Sequence, residues 1–214
     1  MGVRAVIVDI GGVLEDTPVT GWIARWERRL GLESGGLAEI VSVIWKDGRV
    51  GQASLAEIEH RTATSLALDP AGSQELWADV WTEYLGTLNA DLLDFFADLR
   101  PQYKTGILSN SFVGAREREQ ELYGFEDAFD MVMYSHEEGL EKPAARFYLM
   151  ACERLGVDPH EVVFVDDLPE NIEGAALVGM QTVLFASVDQ AINDVRQILQ
   201  EDSPSPSPSP SPRS

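Results

Sequence analysis

A single cysteine, Cys152, stands among 214 residues, so the chain cannot close an internal disulfide. Histidine is nearly as scarce, and Cys152 with His60, His136 and His160 cannot supply a zinc-type Cys/His cluster. Positive charge is in deficit: 16 Lys and Arg against 36 Asp and Glu leave a net charge of −20, with no basic run anywhere. Nucleic acid and anionic membrane surfaces are therefore not expected partners, because phosphate groups are held by a local positive footprint. No apolar run approaches the roughly 18 residues of a membrane span. The opening MGVRAVIVDIGGVL lacks the longer apolar stretch of a secretion signal and has Val6 where myristoylation needs Ser or Thr. A soluble, cytoplasmic protein is expected. What the chain does have is 44% hydrophobic residues, enough to bury a core, which excludes general disorder.

Those hydrophobic residues fall in short, almost uninterrupted runs at 3–8, 105–108, 131–134, 162–165 and 182–185. Runs that do not alternate with polar residues predict strands buried on both faces, as in a parallel sheet. Stretches at 114–122, 144–155 and 170–178 have helical character and lie between the later runs. The alternation predicts an α/β doubly wound domain.

About 95 residues separate the first two runs, where a crossover needs only a dozen or more. Helical spacing recurs there at 20–30, 36–46, 54–66 and 73–85, then at 89–100. The expected organisation is a core of residues 1–16 and 89–200, with a helical bundle of residues 17–88 inserted over the sheet. All five tryptophans, Trp22, Trp26, Trp45, Trp77 and Trp81, lie in the insertion. Trp22 with Trp26, and Trp77 with Trp81, are four apart, so each pair shares a helix face. They either fill the bundle's own core or turn towards the crevice and shape a pocket. His60 is expected on a helix surface. The terminal EDSPSPSPSPSPRS alternates proline with serine and has no apolar anchor, so residues 201–214 are expected to be a solvated tail.

Polar residues follow directly on the strand runs: Asp9 after the first, Ser109 and Asn110 after the second, Asp166 and Asp167 after the fourth. The carboxyl ends of parallel strands line one crevice, so these side chains are expected to converge. Each alone has a structural reading as a helix cap. Three carboxylates in one place repel one another unless a cation neutralises them, and all-oxygen ligands favour a hard ion such as Mg²⁺. Lys142, before Pro143 in the first turn of an expected helix, is either a surface charge or a point charge reaching the crevice.

VIVDIGGVL, LSNS, the lysine of EKP and FVDDLPENIEGA, in this order across residues 3–186, resemble the four motifs of the haloacid dehalogenase superfamily of hydrolases. More narrowly, DIGGVL, LSNS, GLEKPAARFY and VDDLPENIEGA are similar to the branch containing sugar-phosphate phosphatases and the N-terminal phosphatase domain of soluble epoxide hydrolases. The helical insertion corresponds to the family's cap. The resemblance implies a Mg²⁺-dependent phosphatase acting on a small phosphorylated metabolite such as a sugar phosphate. Asp9 would be the nucleophile that forms an aspartyl-phosphate, Ser109 and Asn110 would bind the phosphoryl group, and Lys142 would balance its charge. Asp167 would ligate Mg²⁺ directly, Asp166 directly or through water, and Asn171 would orient the phosphate or a metal-bound water.

One position departs from the family pattern. Gly11 stands where a second aspartate usually serves as general acid and base. Its backbone carbonyl still offers the metal a ligand, but the acid is missing, and Glu15, Asp16 or a residue of the insertion is left to replace it. Two other readings follow: a catalytically weak binding or regulatory protein, or a haloacid dehalogenase. The second fits poorly, since Asp166 and Asp167 would repel a carboxylate substrate. Nothing in the sequence signals an oligomeric state.

Overall fold

The computed structural model describes residues 2–201, and the Ser-Pro tail from 202 onward lies outside them. Five strands form one sheet: β1 (Ala5–Val8), β4 (Lys104–Ser109), β5 (Met131–Tyr134), β6 (Val162–Asp166) and β7 (Gln181–Leu184). All pairings are parallel, in the order β5-β4-β1-β6-β7. β1 sits at the centre, with Val8 level with Ile107 on one side and Val165 on the other.

The unbroken apolar runs have the cause expected for them. Side chains alternate along a strand, and here both faces are covered. Val6 and Val8 pack with Leu92, Phe95 and Phe96 of α5 (Ala90–Asp98) and Ala191, Val195 and Leu199 of α11 (Val188–Glu201). Ala5 and Ile7 face the other way, towards Phe147, Tyr148 and Cys152 of α9 (Ala145–Leu155) and Ala175 of α10 (Pro169–Leu177).

Between β1 and β4 the chain leaves the sheet as expected, through α1 (Trp22–Leu30), α2 (Gly36–Arg49), α3 (Leu55–Ser65) and α4 (Pro70–Leu85). These share an apolar cluster of their own, built on Trp22, Trp26, Leu37, Ile58, Leu76, Trp77 and Trp81, which also takes in Phe112 and Ala115 from the sheet side. His60 is exposed on α3. The insertion leaves and returns through a two-stranded antiparallel ribbon, β2 (Glu15–Asp16) against β3 (Thr87–Leu88). Gly86 permits that close return: its φ is +56°, and a Cβ there would lie 2.3 Å from the carbonyl oxygen of Asp16.

Further helices, α6 (Ala115–Tyr123), α7 (Phe125–Ala128) and α8 (Ser135–Glu138), complete the connections. Two expectations need correction. Glu201, placed in the tail from sequence, belongs to α11. Pro143 lies outside its helix, because Ala144 is the N-cap of α9.

Candidate active site

Strand order reverses around β1, since the chain builds outward to β4 on one side and β6 on the other. A crevice at the carboxyl ends of the strands is expected at such a switch point. One of about 400 Å³ lies there, lined by Asp9, Gly11, Gly12, Asp16, Thr17, Asn110, Asp167, Leu168 and Asn171.

Lys142 lies behind the crevice and organises its carboxylates. Its side chain is wholly buried, and Nζ lies 2.8 Å from Asp9 Oδ1 and 2.7 Å from Asp166 Oδ2. The surface-charge reading of Lys142 is thus excluded. The lysine loop is held by Asn110, whose Nδ2 donates to the Lys142 carbonyl at 2.9 Å and whose Oδ1 accepts from the Lys142 N–H at 2.7 Å. The Asn110 side chain therefore spends its acceptor and one donor on positioning Lys142, beyond the phosphate-binding part the resemblance implies.

Asp166 is fully buried and saturated with donors: Lys142 Nζ, the Leu168 N–H at 2.9 Å, and Asn171 Nδ2 at 3.0 and 3.2 Å from its two oxygens. Asn171 is thus directed at Asp166, and its own carbonyl accepts the Tyr148 hydroxyl at 2.8 Å. Asp167, by contrast, borders the open crevice. Ser109 closes β4 and is buried.

Carboxylate oxygens of Asp9, Asp166 and Asp167 lie within 4.8 Å of one another. One lysine cannot balance three such charges. Burial, aided by the charge of Asp166, pushes the Asp9 carboxyl up to about 7 against the opposing pull of Lys142. Burial likewise raises Asp167. An all-oxygen cluster short of positive charge suits a hard divalent cation, and Asp9, Gly11 and Asp167 all border the crevice.

Two glycines that the sequence reading passed over make this geometry possible. Gly12 has φ +76°, and a Cβ on it would stand 2.4 Å from Asp167 Oδ2. Gly174, inside α10, lets Pro143 approach: a Cβ there would lie 2.7 Å from the Pro143 Cβ and 3.0 Å from its carbonyl oxygen. Glycine within a helix costs about 1 kcal/mol relative to alanine, so Gly174 in the string ENIEGA was a legible signal of close packing.

Of the substitutes considered for the acid missing at Gly11, Asp16 borders the crevice and is exposed. Glu15 turns inward, 1% exposed, with Oε1 unpaired and its carboxyl pushed up to about 9, chiefly by burial. Glu119 on α6 is also buried; it accepts from the Tyr134 hydroxyl and is pushed up to about 7, again chiefly by burial.

A second cavity, of about 210 Å³, opens beside the crevice and shares Asn110 with it. Trp45, Trp77 and Trp81 line it, while Trp77 and Trp81 also belong with Trp22 and Trp26 to the apolar cluster of the bundle.

The doubly wound parallel sheet, the helical insertion and an acidic crevice at the switch point define the fold class of the chain. Residues 3–179 match the haloacid dehalogenase-like hydrolase family, and the chain belongs to it. It is 26% identical over 218 residues to bifunctional epoxide hydrolase 2 of Sus scrofa, covering 92% of this chain and 39% of that relative. It is 32% identical over 120 residues to a ribulose-1,5-bisphosphate 5-phosphatase of Halopiger xanaduensis, covering 54% of this chain and 50% of the other. The chain thus spans half or less of these relatives' lengths. A HAD family enzyme of Bacteroides thetaiotaomicron, solved with magnesium and inorganic phosphate, shares the fold with a TM-score of 0.73 at 22% identity, over 86% of this chain and 95% of that one. Among the described residues no helix is long and apolar enough to cross a membrane.

Proposed function

We propose that the chain is a Mg²⁺-dependent phosphatase that hydrolyses a small phosphorylated metabolite through an aspartyl-phosphate on Asp9. The observation that carries this reading is Lys142 Nζ, buried and bridging Asp9 and Asp166, with Asp167 beside them. Such an arrangement lowers the charge on a nucleophilic carboxylate while leaving room for an anionic phosphoryl group. The phosphatase relative and the neighbour solved with magnesium and phosphate support it. A haloacid substrate would instead bring a carboxylate towards three others.

In this reading one Asp9 oxygen attacks phosphorus, the P–O bond to the leaving alcohol breaks, and water later cleaves the acyl phosphate. Ser109 and the remaining Asn110 donor hold phosphoryl oxygens, while Lys142 counters charge on Asp9 and on those oxygens. Asn171 fixes Asp166, and Asp166 in turn fixes Lys142. Asp9, Asp167 and the Gly11 carbonyl, with Asp166 directly or through water, would hold Mg²⁺, which would supply charge neutralisation for the phosphoryl group. The helical insertion of residues 17–88 serves as the cap that sets the substrate, and the cytoplasm is the compartment that fits.

Phosphate release from a metabolite panel, with and without Mg²⁺, tests the reading. Asp9→Asn should abolish turnover while leaving the melting temperature within the range of the unaltered chain. A variant retaining a tenth of the activity in a contaminant-free preparation would exclude the covalent mechanism.

A further inference from the structure

We propose that the cavity bordered by Trp45, Trp77, Trp81 and Phe112 seats the leaving group, and that it selects phosphate monoesters of compact aromatic alcohols over those of sugars. The inference rests on the phosphatase reading above and names its substrate class. Position comes first. Asn110 borders both this cavity and the Asp9 crevice, so an ester with its phosphorus at Asp9 can extend its alcohol into the neighbouring space.

The walls are ring faces and edges. Trp45 and Trp77 centroids are 5.5 Å apart, Phe112 lies 6.0 Å from each, and Trp81 stands 6.3 Å from Phe112 and 5.3 Å from Tyr84. Phe112 is fixed by the insertion itself: a Cβ on Gly48 of α2 would lie 2.6 Å from its ring, and the Val113 N–H donates to the Gly48 carbonyl at 3.2 Å. Aromatic walls favour an aromatic guest through stacked and edge-on contacts.

The polar groups of the lining point to the same guest. No carboxylate is among them. Arg49 donates only, and Asn110 Oδ1 is occupied by the Lys142 N–H. Ser111 Oγ is engaged too, 2.7 Å from His136 Nδ1. A sugar placed here would surrender water from several hydroxyls and find few acceptors in return. A ring surrenders little. Size limits the guest: apolar cavities of about 150 Å³ take up benzene, so this one holds one ring or a small fused pair rather than a long acyl chain.

Kinetics on the full chain with Mg²⁺ test the proposal. Acetyl phosphate, which has no alcohol to place, reports the phosphatase centre alone. Benzyl phosphate is then compared with ethyl phosphate and glycerol 3-phosphate, whose alcohols are of similar acidity, so that seating rather than leaving-group reactivity is read. Benzyl phosphate should exceed ethyl phosphate in kcat/KM by about 10- to 100-fold, the value of burying one ring. Glycerol 3-phosphate should gain nothing, and 1-pyrenylmethyl phosphate should be rejected. Val80→Phe, which fills the cavity, should bring the benzyl-to-ethyl ratio towards unity. Should that variant not fold, titration of the unaltered chain's indole fluorescence with benzylphosphonate and methylphosphonate takes its place, with about tenfold tighter binding of the former expected. Equal kcat/KM for benzyl and ethyl phosphate, or, where neither ester turns over, equal phosphonate affinities, overturns the cavity assignment. No hydrolysis of acetyl phosphate overturns the phosphatase reading instead.

Discussion

A Cβ placed on Gly12 would stand 2.4 Å from the Oδ2 of Asp167, closer than any side chain tolerates. The φ of +76° at Gly12 adds strain for any other residue. Gly12→Ala should therefore displace the carboxylate most open to the crevice while Asp9, Lys142 and Asp166 keep their mutual contacts. The Mg²⁺ concentration for half-maximal activity should rise by about 10- to 100-fold, the usual cost of disturbing a group that orients a metal ligand. Activity measured against Mg²⁺ concentration checks this, and an unchanged midpoint would mean that Asp167 is not a ligand.

Among the described residues Lys142 is the cation that bridges two buried carboxylates. Lys142→Met keeps much of the volume but leaves Asp9 and Asp166 facing each other without a counter-charge. Removing one partner of a buried ion pair costs about 3–5 kcal/mol, so in EDTA at pH 8 the variant should melt well below the unaltered chain. Added Mg²⁺ should recover part of the loss, because it supplies the missing charge. Paired melts with EDTA and Mg²⁺ measure both effects, and no difference between them would argue against a cation site at this cluster.

The sheet was readable because its strands are buried on both faces and appear as bare apolar runs, and because the residues after Val8, Leu108 and Val165 change to Asp, Ser and Asp without transition. Other features had weak local signatures. The ribbon of Glu15–Asp16 with Thr87–Leu88 is two residues deep, too short for any periodicity to show, and its partners lie more than seventy positions apart. Helix α11 has a buried stripe of Ala191, Val195 and Leu199 at four-residue spacing, but polar residues crowd between them. Close approaches at Gly12 and Gly174 depend on what folds against them from elsewhere in the chain. For the same reason the second role of Asn110, holding Lys142 by two backbone bonds, is visible only once β4 and the lysine loop are side by side.

Glu15 sets a pH dependence whose sign is opposite to that of a salt-bridged carboxylate. Its carboxyl is pushed from 4.5 to about 9 by burial, so the fold retains a proton that the unfolded chain has released across that window. Stability is greatest below pH 4.5 for this group and falls as pH rises towards 9, by up to about 1.4 kcal/mol per pH unit. Glu119, raised to about 7, adds to the slope over the lower part of the window. Glu15→Gln substitutes a neutral group of the same size. Its melting temperature in EDTA should fall less between pH 6 and pH 9 than that of the unaltered chain, and should be higher at pH 9. Parallel slopes would show that Glu15 is ionised or hydrated in the fold.

Gly11 leaves the crevice without the usual acid, and the remaining candidate bordering it, Asp16, is exposed. Without proton donation the departing oxygen must carry its own negative charge, so single-turnover rates should fall steeply as leaving-group pKa rises. Ring-substituted phenyl phosphates of nearly equal size are the appropriate series, since they vary acidity while filling the aromatic cavity alike. The backbone at Gly11 lies outside the left-handed region, and a Cβ there would meet nothing within 4 Å, so Gly11→Asp meets no steric bar at its Cβ. That variant should flatten the dependence and raise the rate of the poorest leaving groups by up to the roughly 10² to 10⁴ that general acid catalysis supplies. A flat dependence already present in the unaltered chain would mean that another group delivers the proton. Asp16→Asn would then be the variant to make next, because among the crevice's ionisable side chains only Asp9 and Asp167 accompany it, and both have other tasks.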